Sequence, residues 1–454
     1  MTETNKQQIL IVGCGVFGLS TALHLSSTAE LRSKYQVTAI DAHSIPSPLS
    51  AATDYNKIIR AEYADFFYSK LSVEALKLWE DDPMYSKEFV QCGRFTLTPK
   101  GAAKRAQYEK QGLDNLKKLG YDVNSGIKRI ESGEELAETV PEFKDNQFGD
   151  DIKGVYNPKA GYGRAARSLV AVYKQCVKQG VVFHFGDDGD AIEILRSSVN
   201  GSESVKVQSG KVYNADKIMV CTGASTGKLL DLSTQVKTLG LFVTHIKLTP
   251  EEYTKYHNMP IFFSSELGYF FPPDPETLEL KIALTYSDTS NKVSDPHNDG
   301  KFITLPSYKI NNPEHTFLAI DEPKVRHVLR QTIPSLASHQ LHDSKICWIS
   351  DTPKSHFVID KVPGMKNVFV STGDAGHAYK FLPNIGKYIK QLLIDGEWET
   401  GSELHSKWGW KYGKEAEFPA QFETRAKRLH FDLKDINEIQ GGWFEEKEKL
   451  NSKL

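Results

Sequence analysis

The sequence predicts a mixed α/β fold with two domains, one discontinuous and built on a parallel βαβ unit, the other built on a mostly antiparallel sheet. Three observations predict it. The apolar run QILIVG, residues 8–13, leads through glycines into a helical pattern and then into the strand YQVTAID, residues 35–41. Residues 237–350 are rich in strand patterns separated by turn residues such as PPDPET. The strand and helix patterns of residues 367–394 resemble the first segment again, so the first domain is discontinuous.

A chain of 454 residues exceeds the size of one ordinary core, which supports two domains. We expect the first domain to comprise residues 1–90, 150–235 and 345–397, and the second to comprise residues 91–149 and 236–344. The lysine-rich stretch from Gly93 to Gly149 is expected to be a solvated addition to the core, and residues 398–454 a tail that packs on the outside. Further elements are predicted as follows: helices over 65–81, 168–179 and 383–394, and strands over 181–186 and 217–221.

Composition excludes several classes of protein. A net charge of −2 with 25% charged residues gives no basic surface for a nucleic acid. No apolar run is long enough to cross a bilayer, and the polar N-terminus lacks the layout of a secretory leader. Five widely spaced cysteines, an odd number without a CxxC pair, argue against a disulfide framework and against a metal site. The final tripeptide Ser452-Lys453-Leu454 matches a peroxisomal targeting signal, so we expect an import receptor as partner and a peroxisomal location.

A glycine motif lies at the first strand-to-helix turn. GCGVFG, residues 13–18, lets the backbone turn tightly and approach a pyrophosphate, which the N–H groups of the helix N-terminus then bind. Asp41 ends the next strand, where a carboxylate can accept hydrogen bonds from a ribose. This context predicts a Rossmann-like dinucleotide site, without separating FAD from NAD. The predicted contacts are Gly13, Gly15, Val16, Phe17, Gly18 and Asp41.

Three later segments carry further candidates. The strand 217–221 ends at Thr222 and Gly223, a small turn that allows close approach of a cofactor. The segment KICW contains Cys347, which on composition alone is more often a buried structural cysteine. The segment STGDAGHAYKFLP, residues 371–383, places glycines before a helix and a lysine, ordinarily a surface charge, among aromatic residues. Its candidate residues are Gly373, Gly376, His377 and Lys380.

Taken with the N-terminus, these segments resemble the monomeric sarcosine oxidase family of D-amino-acid-oxidase-like FAD enzymes, and within it the fungal fructosyl amino acid oxidases (amadoriases). The likeness runs over almost the whole chain. It implies a flavin joined through its 8α-methyl to the sulfur of Cys347. It also implies that Lys281 promotes the reaction with oxygen, because a fixed cation stabilises the anion that forms, although a strand lysine ordinarily faces solvent. Asn56 and Lys57, in DYNKII, match family residues close to the flavin face, and Lys57 joins Lys281 as a catalytic candidate.

Substrate recognition resembles the amadoriases only in part. Lys380 matches the family lysine near the substrate carboxylate, and Tyr286 is a candidate aromatic wall. The amadoriases often have an acidic residue where this chain has Thr285, and can have a tail arginine where it has Lys411, which pairs with a carboxylate only as a point charge. Residues 60–65 resemble the saccharopine oxidases more closely.

The resemblance therefore implies an FAD-dependent, monomeric oxidase of secondary amines, which transfers a hydride to the flavin and releases hydrogen peroxide. We expect fructosyl amino acids as substrates, giving glucosone and the free amino acid, with saccharopine, L-pipecolate or sarcosine as alternatives. Two hypotheses from other classes stay open: an NAD(P)-dependent dehydrogenase, expected to be colourless, and a flavin-binding protein whose flavin no amine reduces.

Overall fold

Two large sheets organise the chain in the computed structural model, which describes residues 6–98, 102–121, 126–150, 152–285, 287–313, 321–416 and 429–433. The helices of this part of the chain are α1 (Val16–Leu25), α2 (Ala29–Lys34), α3 (Phe66–Asp81), α4 (Pro83–Ser86), α5 (Ala103–Lys118), α6 (Gly133–Thr139), α7 (Ala165–Lys178), α8 (Pro250–Tyr256), α9 (Asp321–Thr332), α10 (Ile385–Asp395) and α11 (Glu403–Trp408).

The strands, in chain order, are β1 (Gln7–Val12), β2 (Tyr35–Asp41), β3 (Asn56–Ile59), β4 (Phe89–Val90), β5 (Arg94–Thr98), β6 (Lys128–Ile130), β7 (Lys153–Asn157), β8 (Gly161–Arg164), β9 (Val182–Phe185), β10 (Ala191–Arg196), β11 (Glu203–Val207), β12 (Val212–Asn214), β13 (Lys217–Val220), β14 (Lys237–Lys247), β15 (Ile261–Ser264), β16 (Gly268–Phe270), β17 (Glu279–Ala283), β18 (Ser287–Ser290), β19 (Lys292–Ser294), β20 (Phe302–Thr304), β21 (Leu341–Asp351), β22 (Val358–Lys361), β23 (Val368–Thr372) and β24 (Leu429–Asp432).

The first large sheet has six strands in the order β22-β23-β13-β1-β2-β9 and is parallel except for the β22–β23 pair. Its central strands are buried aliphatic runs, as expected for a sheet covered on both faces. The neighbours of Val12 in register are Ile40 on β2 and Val220 on β13, so three strands reach their carboxyl ends together. This edge, where ligands bind in open α/β sheets, is also where the predicted glycine motif lies. The mixed α/β prediction and the parallel βαβ unit are confirmed.

The second large sheet joins β24, β18, β14, β17, β16, β15, β5, β7 and β6 in that order, with β21 paired to β14. Most of its pairs are antiparallel, although β15 runs parallel to β5 and β18 parallel to β24. Phe95, Phe262, Phe270 and Ile282 are fully buried in the core of this sheet. The prediction of a second, mostly antiparallel sheet is therefore confirmed.

Two expectations about peripheral segments are wrong. In the stretch predicted as a solvated addition, Leu97, Ile130 and Phe143 are buried in the core of the second sheet, because β5 and β6 are strands of that sheet. In the tail, Trp408 is fully buried, and its indole N–H donates to the hydroxyl of Tyr68 at 3.2 Å. Large aromatic side chains bury the most apolar area, which explains why these segments join the core despite their lysines.

The predicted domain boundaries at 150 and 345 divide the chain differently from the strand pairing. β7 follows residue 150 but pairs with β5, and β21 begins before residue 345 and pairs with β14 along most of its length. Both strands therefore belong to the second sheet. Among the described residues, no helix is both long enough and apolar enough to cross a membrane.

Candidate active site

A cavity of about 750 Å³ runs from the carboxyl edge of the first sheet to the face of the second. Its wall includes Gly15 and Asp41 at one end, Lys57 and Cys347 in the middle, and Arg105 at the other end. One continuous space thus joins most of the candidate residues that the sequence places hundreds of positions apart.

The glycine motif forms the first end of the cavity. Gly13 has φ +98°, and a Cβ at this position would lie 2.6 Å from the carbonyl oxygen of Cys221, so only glycine fits. Gly15 is the N-cap of α1, and a Cβ there would have a single neighbour, Ser50 Oγ at 3.5 Å. Gly15, Val16 and Phe17 line the cavity, so the free N–H groups of the helix N-terminus face a space that fits a pyrophosphate.

Gly18 has a different role from Gly15. It does not line the cavity, and a Cβ on it would lie 1.9 Å from the carbonyl oxygen of Gly13. This glycine allows α1 to pack directly on β1, which places the helix N-terminus at the cavity without contacting a ligand itself.

Asp41, Thr222 and Gly223, three of the predicted cofactor contacts, also line this end of the cavity. One carboxylate oxygen of Asp41 accepts a hydrogen bond from the backbone N–H of Cys14 at 2.8 Å, and the other accepts one from His43 at 3.0 Å. These bonds fix the carboxylate at the end of β2 and leave it lone pairs for further donors, as a ribose would provide.

Lys57 and Cys347 meet in the middle of the cavity. The two residues come from β3 and β21, and Lys57 Nζ lies 3.8 Å from Cys347 Sγ. Lys57 is also paired with the buried carboxylate of Asp54 at 3.1 Å. Burial by itself would lower the pKa of Lys57, but the nearby Cys347 and Asp54 outweigh burial and raise it. Lys57 is therefore a stable cation beside the sulfur.

Lys281 lies one layer behind the cavity wall. Its side chain is fully buried and is not among the groups that line the space. Its Nζ donates to the backbone oxygen of Asn56 at 2.8 Å, contacts Asp54 at 2.5 Å and lies 4.9 Å from the ring centroid of Phe271, a lining residue. Burial lowers the pKa of Lys281 to about 7; the Asp54 carboxylate opposes the shift, while the positive charge of Lys57 adds to it. One buried carboxylate is thus shared by two lysines.

Lys380 is almost fully buried and lines the cavity. Its Nζ donates to the backbone oxygen of His377 at 2.8 Å and lies 5.5 Å from the ring centroid of Tyr63. His377 also lines the cavity and is held by Tyr63 Oη at 3.1 Å and by the backbone oxygen of Ser355 at 2.9 Å. Burial, followed by the positive charges of Arg60 and Arg94, lowers the pKa of Lys380 well below its usual range. A carboxylate ligand beside Lys380 would oppose this shift and favour its charged form.

The remaining predicted residues have different positions. Gly376 and Thr285 line the cavity, and the hydroxyl of Thr285 donates to the backbone oxygen of Ser264 at 2.9 Å. Gly373 and Asn56 do not line it; Gly373 has φ +73° and packs against Thr352, and Asn56 supplies the backbone oxygen bound by Lys281.

Lys411 does not line the cavity either. Its Nζ donates to the backbone oxygen of Ser406 at 2.6 Å, and its backbone N–H donates to Gln235 at 2.9 Å. The predicted contact of Lys411 with a substrate carboxylate therefore finds no support in this geometry, because the ammonium group of Lys411 binds the backbone of Ser406 in the tail. Tyr286 and the tripeptide Ser452-Lys453-Leu454 lie outside the described residues.

Sequence reasoning missed three arginines that line the cavity near Lys380. They are Arg60, which follows β3, Arg94 on β5 and Arg105 on α5. Arg60 belongs to the loop that already resembled the saccharopine oxidases, so a sequence clue existed for it. Arg94 and Arg105 lie in the stretch from Gly93 to Gly149 that was expected to be a solvated addition, and no local pattern distinguishes them from surface arginines.

Comparisons with known proteins agree with this geometry. The family model described as FAD dependent oxidoreductase, DAO, matches residues 8–392. L-saccharopine oxidase of Schizosaccharomyces pombe is 38% identical over 452 residues, which cover 95% of this chain and 98% of that protein. Monomeric sarcosine oxidase of a Bacillus species is 21% identical over 88% of this chain and 95% of its own length.

The solved structures most like this chain include fructosyl oxidases. A fructosyl peptide oxidase from E. terrenum has a TM-score of 0.84 at 26% identity, covering 96% of this chain and 98% of that chain. The deglycating fructosamine oxidase Amadoriase II from Aspergillus fumigatus has a TM-score of 0.82 at 27% identity, covering 95% and 97% respectively.

Proposed function

Because this chain belongs to the DAO family of FAD-dependent oxidoreductases, we propose that it oxidises a carboxylate-bearing secondary amine to an imine, with oxygen as the electron acceptor. The observation that carries this proposal is the single cavity that connects the glycine motif with Cys347, Lys57 and Lys380. The alternative of a nicotinamide-dependent dehydrogenase leaves the pairing of Cys347 with Lys57, 3.8 Å apart in the cavity, without an explanation.

The residues present fit an FAD molecule. Gly13, Gly15 and the N-terminus of α1 are suited to the pyrophosphate, and Asp41 to the adenosine ribose. Cys347 lines the cavity, with its Sγ 3.8 Å from the ammonium nitrogen of Lys57, so the sulfur is accessible to a flavin bound there and could form a thioether with it. When bound, FAD supplies the acceptor for two electrons from the amine and passes them to oxygen.

Two cations are placed to orient the substrate. Lys380 and Arg60 both line the cavity, and in the described part of the chain neither lies within ion-pair distance of a carboxylate. We assign the α-carboxylate of the substrate to this pair. Lys57 and Lys281 both pair with Asp54 and supply positive charge in that part of the site. This charge stabilises the anion that forms when oxygen accepts electrons.

For the substrate, we favour L-saccharopine or a similarly acidic secondary amine. The relative that is 38% identical over almost the whole chain bears the name of that activity. Many fructosyl oxidases have an acidic side chain at the position of Thr285. Thr285 is uncharged, and its hydroxyl donates to the backbone oxygen of Ser264, so this chain has no acidic group there.

Oxidation of fructosyl amino acids, our prediction from the sequence, is the second candidate. It is favoured by the structural match to fructosyl peptide oxidases over nearly the whole chain. L-Pipecolate and sarcosine remain further alternatives.

Peroxide release from L-saccharopine, fructosyl-valine, fructosyl-lysine, L-pipecolate and sarcosine, measured in parallel, tests the proposal. We expect kcat/KM for saccharopine to exceed the others by at least about tenfold, which corresponds to about 1.4 kcal/mol of transition-state stabilisation. Faster turnover of a fructosyl compound would contradict the substrate assignment and leave the oxidase assignment in place. No peroxide from any of the five would contradict both.

The covalent bond is tested separately by denaturing the purified protein in acid. We expect yellow colour to stay with the polypeptide, and the Cys347→Ala variant to release its flavin into solution. Cys221→Ala is a matched control, because Cys221 also lines the cavity but lies at the nucleotide end. Free flavin from the unmodified protein would contradict the thioether. The peroxisomal location and the monomeric state stay predictions.

A further inference from the structure

The end of the cavity beyond Lys380 holds two arginines that the proposed reaction does not yet use. Arg94 reaches it from β5 and Arg105 from α5, and both guanidinium groups lie 5.5 Å from the ring centroid of the same residue, Phe263. Two arginines on different secondary-structure elements, 11 positions apart in the chain, therefore lie near one aromatic side chain. Arginine is the side chain best suited to bind a carboxylate through two parallel hydrogen bonds.

Positive charge exceeds negative charge at this end of the cavity. Arg60, Arg94, Arg105 and Lys380 supply four basic groups, whereas the acidic partners in the described residues are Glu62 and Glu109. Glu62 is 3.6 Å from Arg94 and also accepts hydrogen bonds from Asn157 at 2.9 Å and from its own neighbouring backbone at 3.0 Å. With Lys380 in its charged form, which a bound carboxylate favours, four cations against two carboxylates leave an excess of two positive charges.

Both arginines keep hydrogen-bonding capacity unused. Arg94 is 2% exposed, and its Nε and that of Arg105 have no hydrogen-bond partner in the described part of the chain. Burial lowers the pKa of the Arg94 guanidinium in spite of the Glu62 carboxylate, and the positive charges of Arg60 and Arg105 add to this effect. Unpaired donors and adjacent like charges are costly in a buried wall, and an anion bound there would offset both costs.

We propose that Arg94 and Arg105 form a second carboxylate subsite, so that the amino-acid half of the preferred amine carries two carboxylates, as a glutamate-derived amine does. This inference rests on the proposed function, in which Lys380 and Arg60 bind the α-carboxylate. Together the two pairs match the excess of two charges with the two charges of a dicarboxylate. The ring of Phe263, which lines the cavity 5.5 Å from both guanidinium groups, offers an apolar surface to the methylene groups that join the carboxylates.

Calorimetric titration of the flavin-loaded protein with glutarate and with its monoamide, glutaramate, tests the subsite without any turnover. The two probes differ only in one carboxylate. Since hydrogen bonds to charged groups are the stronger class, we expect glutarate to bind about 30-fold more tightly. In Arg105→Gln this preference is expected to fall to about threefold or less.

Lys110→Gln is the matched control, because Lys110 is an exposed cation on the same helix as Arg105. We expect it to keep the preference of the unmodified protein. Arg94→Gln is the stronger variant, but it leaves the buried Glu62 without its arginine, so Arg105→Gln, at a half-buried position, carries the test if Arg94→Gln does not fold.

Peroxide release from N-methyl-L-glutamate and N-methyl-L-glutamine separates this inference from the proposed function. Equal binding of glutarate and glutaramate, together with peroxide from both amines at similar kcat/KM, would overturn the subsite and leave the oxidase. A glutarate preference that Arg105→Gln removes, without peroxide from either amine or from the five amines tested above, would support the subsite and contradict the oxidase. An unchanged preference in Arg105→Gln would show that Arg94 and Arg105 serve only to hold Glu62 and Glu109.

Discussion

The two ends of the cavity are built in different ways. At the nucleotide end, six consecutive residues, Gly13 to Gly18, place glycines and a helix N-terminus against the ligand space, with Asp41 on the next strand. At the substrate end, Arg60, Arg94, Arg105 and Lys380 come from four separate stretches of chain and act through their side chains.

The difference teaches how each end depends on the fold. Backbone N–H groups at a helix N-terminus bind an anion whatever the neighbouring side chains are, so the nucleotide end depends on backbone conformation. The substrate end depends on buried basic side chains, whose pKa values are set by burial and by the charges and hydrogen bonds around them. Substitutions at the two ends should therefore affect different measurements.

The largest expected effect concerns the buried charges around the cavity. Lys281→Met removes the buried cation paired with Asp54, and we expect the rate of flavin reoxidation by oxygen to fall about 100- to 1000-fold, the cost of losing one fixed charge-stabilising group. Stopped-flow mixing of reduced enzyme with oxygen measures it. The rate of flavin reduction by substrate is expected to fall much less.

Lys128→Met is the control for this variant, because Lys128 is an exposed lysine on β6 of the same sheet. Reoxidation of Lys281→Met at a rate within about threefold of the unmodified enzyme would show that Lys57 alone supplies the charge.

A pair of glycine substitutions sharpens the comparison at the nucleotide end. Gly18→Ala puts a Cβ 1.9 Å from the Gly13 oxygen, so we expect a loss of about 3 kcal/mol in the free energy of unfolding, or roughly 3 °C in melting temperature. Gly15→Ala has room for its Cβ, which projects into the cavity, so we expect unchanged stability of the flavin-free protein but a lower ratio of flavin to protein.

Calorimetric melting and flavin absorbance check the two variants. The interpretation of the glycines would be wrong if Gly15→Ala destabilised the flavin-free protein as much as Gly18→Ala does, or if it retained a full complement of flavin.

The smallest effect concerns pH. Burial lowers the pKa of Lys281 to about 7, so its ammonium group is charged below this pH and loses its charge as the pH rises above it. We expect the rate of reoxidation to decline by about fivefold between pH 7 and pH 8, because the protonated fraction of a group with this pKa falls from about one half to about one eleventh over that interval. Lys281→Met should show no such decline. A rate that is constant or rises from pH 6 to pH 8.5 would contradict this assignment.

The sequence by itself determined the nucleotide end and the kind of fold. The spacing of Gly13, Gly15 and Gly18 after an aliphatic strand, and the acid that ends β2, depend on contacts between residues near each other in the chain. Backbone conformation and strand burial are encoded locally, so a short window suffices to predict them. The resemblance of the Cys347 and Lys380 segments added the oxidase class.

Only the tertiary structure decided how the charged side chains are arranged. It placed Arg94 and Arg105 beside Lys380, put Lys281 behind the wall that Lys57 lines, directed Lys411 to its own backbone and buried Trp408. The function of an arginine or lysine depends on its burial and on its charged neighbours, which here lie as many as 320 positions apart, between Arg60 and Lys380. No local pattern contains that information, because electrostatic interactions act across space and not along the chain.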